Sequence, residues 1–109
     1  MNQKIYEMHA DICQTFTSSK RLEILDLLRD GEKTVSELVE LTKINQANLS
    51  QHLSVLRQKK IVIARRDGTN IYYSISNPKI IQAIDLIREI LYERLAENEK
   101  LAKNIKDYI

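Results

Sequence analysis

Residues 34–56 read TVSELVELTKINQANLSQHLSVL, and the sequence patterns within this stretch decide the fold. Thr34 is followed three residues later by Glu37, the capping-box spacing in which a hydroxyl and a carboxylate each satisfy a free backbone N–H at a helix start. Val35, Leu38, Val39 and Leu41 continue as a short apolar helix. Thr42 to Ile44 read as a turn, and Asn45 is placed to cap a further helix with Leu49, Leu53 and Leu56 on one side. The opposite side is Ala47, Ser50, Gln51 and Ser54. Two short helices about a tight turn, the second apolar inside and polar outside, make a helix-turn-helix.

On the C-terminal side the pattern changes to β-branched and aromatic residues, IVIARR at 61–66 and IYYSI at 71–75, joined by Asp67-Gly68-Thr69-Asn70. Asp-Gly supplies the positive φ that a tight hairpin needs, so this segment is a β-hairpin wing. On the N-terminal side Ile5, Met8, Ile12 and Phe16 recur at three- and four-residue steps, as on one face of a first helix. Ser18 or Ser19 can cap a second helix, whose Leu22, Ile24, Leu25, Leu27 and Leu28 form a wide apolar stripe until Gly31 stops it. From Lys79 to Ile109 there is no Gly or Pro, which predicts one long helix or a helix pair of up to ~46 Å. The expected fold is mainly α with a β-hairpin wing: four helices, two strands and a long C-terminal helix or helix pair, a winged helix-turn-helix.

The expected organisation is a single winged-helix domain over 1–109, with 16–76 as the helix-turn-helix and wing core and 1–15 and 78–109 as dimerisation helices. In the C-terminal segment Ile80, Ile84, Ile87, Leu91, Leu95, Asn98, Ala102, Ile105 and Ile109 follow steps of three and four, a seam suited to a partner helix. Core packing within one subunit explains residues 80–91 equally well, and Asn98 in the seam would fix register.

Composition is that of an ordinary globular protein, 43% apolar and 29% charged. The opening MNQKIYEMHADICQTF has neither the apolar run nor the cleavage site of a signal peptide, and a single cysteine rules out an intrachain disulfide, so a cytoplasmic setting is expected. The net charge is only +2, but its distribution is uneven. Residues 41–66 carry Lys43, Arg57, Lys59, Lys60, Arg65 and Arg66 and no acidic residue. A positive field concentrated there would meet a polyanion, although a solvated charged face reads the same way from charge alone.

Together with the hairpin, the outer face of the helix after Asn45 favours DNA, although a solvated helix face would be satisfied by polar residues as well. Gln46, Ala47, Asn48, Ser50, Gln51 and Ser54 present amides, hydroxyls and a small apolar group, which is the chemistry that reads base edges. The flanking Lys43, Arg57, Lys60, Arg65 and Arg66 would hold phosphates. His52 lies on the border between the two faces, and a ring packed under the helix with one nitrogen hydrogen-bonded is preferred to direct contact with DNA. Tyr72 and Tyr73 alternate across a strand, one inward and one outward.

The run Ile44-Asn45-Gln46-Ala47-Asn48-Leu49-Ser50-Gln51-His52-Leu53-Ser54-Val55-Leu56 resembles the recognition helix of the ArsR (arsenic-repressor-like) family. Ser-Lys-Arg-Leu-Glu-Ile-Leu at 19–25 is similar to that family's Pro-Thr-Arg-Leu-x-Ile-Leu segment, and Arg65-Arg66-Asp67-Gly68 with Tyr72-Tyr73 resembles its wing. The resemblance covers residues 16–76. It implies that Gln46, Ala47, Ser50 and Gln51 enter the major groove, that Arg65, Arg66, Thr69 and Asn70 approach the neighbouring backbone or minor groove, and that the first and last helices form a dimer. It fails at the metal sites. Many relatives sense metals through a Cys-x-Cys pair on the third helix or Asp and His ligands on the last, and here the third helix has no thiolate and no His or Cys follows His52. The remaining metal candidates are His9 and Cys13, four apart on the first helix, and Cys13 is also the redox candidate. A solvated histidine and a small buried cysteine are the preferred readings of that pair.

The expected function is that of a homodimeric, sequence-specific transcription regulator, a repressor, binding double-stranded DNA at a pseudo-palindromic operator without a cofactor. The alternative is a winged-helix protein-interaction module of a larger assembly. An enzyme is not expected, because the chain has no phosphate-cradling glycine loop and no nucleophile with a base beside it.

Overall fold

The computed structural model describes residues 1–98 and residue 104. In chain order these form α1 (Gln3–Gln14), α2 (Ser19–Leu27), a 3-10 turn (Leu28–Asp30), β1 (Lys33–Thr34), α3 (Val35–Thr42), α4 (Gln46–Gln58), β2 (Val62–Asp67), β3 (Asn70–Ile75) and α5 (Lys79–Ala96). The chain divides into a unit of residues 1–77 and a unit of residues 78–109.

In the first unit each helix begins at a side-chain cap. Asn2, Ser18, Thr34 and Asn45 accept from the backbone N–H of Ile5, Arg21, Glu37 and Asn48 respectively. At Thr34 the capping box closes in both directions, with the Glu37 carboxylate accepting from the Thr34 backbone N–H at 3.2 Å. Such a cap is worth about 1 kcal/mol, enough to set where a marginal eight-residue helix starts. The core lies beneath α4, where Leu49, Leu53 and Leu56 are fully buried together with Ile24, Leu25 and Leu38, and Leu28, Ile61 and Val62 are buried as well.

Leu41, read as part of the apolar face of α3, is 53% exposed. Thr42 takes the inward position instead, and its hydroxyl donates to the Leu38 carbonyl at 2.7 Å and accepts from the Ile44 N–H at 3.2 Å. One polar side chain thereby closes α3 and shapes the turn into α4. α4 ends in a Schellman motif: the Lys60 N–H reaches the Arg57 carbonyl at 3.0 Å, the Ile61 N–H reaches the Leu56 carbonyl at 2.9 Å, and Lys60 sits at φ +61°.

The hairpin is as expected, with Asp67 opposite Asn70 across a two-residue turn in which only Gly68 takes positive φ. That is the pattern of a type II′ turn. The short strand β1 was not foreseen. Lys33 pairs with Tyr73 and Thr34 with Tyr72, giving a three-stranded antiparallel sheet of order β1-β3-β2. A lone two-stranded hairpin is marginal in water, so this third strand is what ties the wing to the start of α3.

The 3-10 turn after α2 stops at Gly31, whose φ of +143° and ψ of 179° lie in a region essentially closed to other residues. A methyl group there would meet no atom within 4 Å. Gly31→Ala is therefore expected to lower the stability of the fold by about 1–3 kcal/mol through backbone strain alone, read as a fall in the urea midpoint at unchanged slope.

In the second unit, α5 exposes Leu86, Ile87, Ile90, Leu91 and Tyr92, while Ile80, Ile84 and Leu95 are half-buried. Ala102, Ile105 and Ile109 of the expected seam lie outside the described residues. Among the described residues no helix is long and apolar enough to cross a membrane.

Candidate nucleic-acid interface

With Leu49, Leu53 and Leu56 turned inward, the helical period sorts the remaining side chains of α4 into three strips. Ala47, Gln51, Ser54 and Gln58 run along the outward centre, all exposed. Gln46, Ser50 and Arg57, at spacings of four and seven, lie on one flank, and Asn48 and His52 on the other. The side chains of Gln46, Ser50, Gln51 and Ser54 make no hydrogen bond among the described residues, so their donors and acceptors are free for a ligand.

His52 is half-buried, and its Nδ1 accepts from the Arg21 Nε–H of α2 at 3.4 Å. Burial pushes the imidazole below its ordinary value near 6.5, and the charges of Arg21 and Lys20 push the same way. The ring is thus neutral at physiological pH, with Nε2 carrying its proton. Because the unfolded chain binds this proton more readily than the folded one, the fold is at full strength above about pH 6.5 and weakens as pH falls from there through the lowered folded value. The urea midpoint of the native chain is expected to fall between about pH 7 and about pH 5 more than that of His52→Gln; parallel profiles would show that His52 does not titrate differently on folding.

The six cations of residues 41–66 fall into two classes. Lys59 is held by Asp11 of α1 at 2.8 and 2.9 Å, and Lys43 meets Glu40 at 3.3 Å in a pair so exposed that it contributes little. The Arg65 guanidinium grips Glu32 through two hydrogen bonds of 2.6 and 3.1 Å, approaches Asp67 at 3.9 Å and lies 4.6 Å over the Tyr72 ring. Its hydrogen bonds hold the Glu32 carboxyl below the usual range. Arg57, Lys60 and Arg66 have no ion-pair partner among the described residues.

Strand alternation explains why the two adjacent wing arginines differ. Arg65 stands opposite Tyr72 in the β2–β3 register and Arg66 opposite Ile71, so successive side chains leave the hairpin on opposite faces. On the Arg66 face a cavity of about 190 Å³ opens, lined by Arg57, Ala64, Arg66 and Ile71. The structure therefore joins α4 and the wing through Arg57 and Arg66 and turns Arg65 away. Thr69 and Asn70 are exposed at the wing tip, and Lys43 in the turn before α4 and Lys60 just after α4 are exposed, both at left-handed φ. Arg21 and Glu32 are site neighbours that no local sequence pattern marks, since each meets its partner from more than 30 positions away.

His9 and Cys13 are exposed on α1, which buries no residue, so Cys13 is a solvent-facing free thiol rather than the small buried residue expected. Among the described residues no three or more His, Cys, Asp or Glu side chains are grouped to hold a metal ion.

Residues 18–64, from the cap of α2 into β2, match the family model described as bacterial regulatory protein, arsR family. The chain is 32% identical over 101 residues to the arsenical resistance operon repressor of Staphylococcus aureus, covering 93% of this chain and 94% of that one. It is 30% identical over 79 residues to the transcriptional activator HlyU of Vibrio cholerae, covering 72% and 73%. A crystal structure of a Mycobacterium tuberculosis protein superposes with a TM-score of 0.81 at 34% identity, over 89% of this chain and 98% of that one. The solution structure of a homodimeric winged helix-turn-helix DNA-binding domain from Mycobacterium bovis, described as a possible ArsR-family transcriptional regulator, gives 0.78 at 30% identity over 86% and 87%. With its capped helix-turn-helix, its hairpin wing and relatives of both kinds along most of its length, the chain belongs to the arsR family of DNA-binding transcription regulators.

Proposed function

We propose that the chain acts as a homodimer that represses transcription by seating one α4 per half-site in successive major grooves of a pseudo-palindromic operator. The observation that carries this reading is the outward strip of α4 with Gln46 and Ser50 beside it, an exposed, uncharged surface whose polar side chains make no hydrogen bond among the described residues. Gln46, Ala47, Asn48, Ser50, Gln51 and Ser54 are the base-reading set, and Thr69 and Asn70 reach the adjoining minor groove or backbone. Arg57, Lys60 and Arg66 hold phosphates, with Lys43 and Arg65 in reserve behind Glu40 and Glu32. Lys43 and Lys60 occupy left-handed positions that cost a residue other than glycine about 1 kcal/mol, so charge at these sites is kept at some expense to stability.

The dimer buries the exposed apolar side chains of α1, Ile5, Met8 and Ile12, and those of α5, Leu86, Ile87, Ile90 and Leu91. The homodimeric Mycobacterium bovis domain supports this association. Relatives include a repressor and an activator. Repression is the sign that asks least of the protein, because a bound dimer already covers promoter DNA.

A base preference follows from side-chain chemistry. The outward strip carries no Arg or Lys, the usual readers of guanine, whereas Gln matches adenine through N6 and N7. Selection from randomised duplexes is expected to return A·T-rich half-sites, and recovery of G·C at the helix-contacted positions would overturn amide readout of adenine. Gln51→Ala is expected to cost about 1–3 kcal/mol on the selected site, to relax discrimination at one base pair, and to leave binding to random DNA nearly unchanged. A reporter carrying the selected site across its promoter tests the sign, and a rise in transcription on adding the protein would overturn repression.

A further inference from the structure

We propose that the cavity between α4 and the wing is a seat for a single phosphate group, gripped by Arg57 and Arg66 at once. For its source the proposal rests on the DNA reading above, in which the group is one phosphodiester of the operator backbone; a free phosphate has the same chemistry. Two cationic side chains from different elements line one cavity of about 190 Å³, and no carboxylate lines it with them. The contrast with Arg65 is internal to the same strand. One residue earlier, on the opposite face, the guanidinium is matched by Glu32 and Asp67 and rests on Tyr72. The fold neutralises one wing arginine and leaves its neighbour sharing a cavity with a second arginine, neither ion-paired among the described residues.

Each guanidinium offers a planar fork of donors suited to phosphate oxygens, and two such forks fix the group's position as well as its charge. The rest of the lining is Ala64 and Ile71. A short side chain at 64 leaves the space open, and an apolar floor weakens solvent screening of the charges above it. The seat adjoins the base-reading strip, because Arg57 shares a flank of α4 with Gln46 and Ser50. A backbone phosphate bordering the contacted bases therefore falls where the cavity opens. One shared phosphate would set the wing and the recognition helix in register on the duplex.

The test is a scan of the selected operator with single methylphosphonate substitutions, which remove one backbone charge at a time, against the native chain, Arg57→Gln and Arg66→Gln. Both residues are exposed, and the circular dichroism of each variant checks that the fold is kept. One position per half-site is expected at which neutralisation weakens the native complex about tenfold or more, and the penalty at that same position is expected to shrink in both variants, since each keeps one of the two forks. If the two variants reduce the penalty at different positions, or neither reduces it anywhere, the shared seat is overturned. A second arm titrates inorganic phosphate against chloride at constant ionic strength into the DNA-free protein, reading the backbone amides of Ala64, Arg66 and Ile71. A saturable shift lost in both variants shows that the seat also takes free phosphate, and no shift assigns it to the phosphodiester found in the scan. If the native chain forms no operator complex at all, the DNA reading fails by itself; the seat then stands on the phosphate arm and is overturned if that arm is flat.

Discussion

Raising monovalent salt from about 50 to about 200 mM is expected to weaken operator binding about 300- to 1000-fold, with log affinity falling on log salt at a slope between about −4 and about −5. The slope is set by the cations that lack an ion-pair partner, not by all of them. Of the six between residues 41 and 66, Lys43, Lys59 and Arg65 are ion-paired within the subunit, leaving Arg57, Lys60 and Arg66 for the duplex. A dimer presents each of the three twice. Six separate phosphate contacts give the steeper slope, and sharing of one phosphate by Arg57 and Arg66 gives the shallower. A flat response would exclude phosphate attraction as the main force.

The same sorting predicts a gain of affinity from a substitution outside α4 and the hairpin. Glu32→Gln removes the carboxylate that holds Arg65 and frees one more cation per wing. The slope is expected to steepen by about 2 in the dimer, with tighter binding at low salt to operator and random DNA alike. Because the pair is largely exposed, the accompanying loss of stability should be no more than about 1 kcal/mol. An unchanged slope would show that no phosphate lies within reach of Arg65.

Local sequence patterns reveal most of this fold because its elements are governed by local rules. Helical spacing at Leu49, Leu53 and Leu56, the Thr34–Glu37 capping box and the Asp67-Gly68 turn each lie within one or two turns of chain, and each appears in the structure. β1 escaped because two residues cannot display an alternation and because Thr34 already read as a helix cap; it serves as both. Leu41 was misplaced because, in a helix only eight residues long, one polar residue, Thr42, supplies enough hydrogen bonds to take the buried position. The candidate interface is legible in part for the same reason. The outward strip of α4 follows from periodicity, but which arginines are free depends on partners distant in sequence. Glu32 meets Arg65 only once β1 has paired with β3, and Arg57 and Arg66 come to line one cavity only once the wing lies beside α4.

Two neighbouring positions on α4 are expected to separate stability from reading. Leu53 has no solvent exposure and lies in the core with Leu49 and Leu56 on the same helix. Truncating it removes the transfer free energy of the lost carbons and leaves a cavity that the surrounding leucines fill only in part, so Leu53→Ala is expected to cost about 2–5 kcal/mol. Against a total of about 5–15 kcal/mol for a domain of ordinary stability, that is a large share. The urea midpoint, read at fixed protein concentration because the proposed dimerisation would add to apparent stability, should fall accordingly. Ser54 is the next residue but is exposed on the outward strip, and its removal should change stability by no more than about 0.5 kcal/mol. DNA binding is expected to invert the order of specificity effects. Leu53→Ala lowers the folded fraction and thus the apparent affinity for every duplex, and leaves the selected half-site unchanged. Ser54→Ala keeps the folded fraction and alters preference at one base pair. If Leu53→Ala shifted the selected sequence while costing less than about 1 kcal/mol, α4 would be loosely seated and its inner face would take part in recognition, contrary to the packing described.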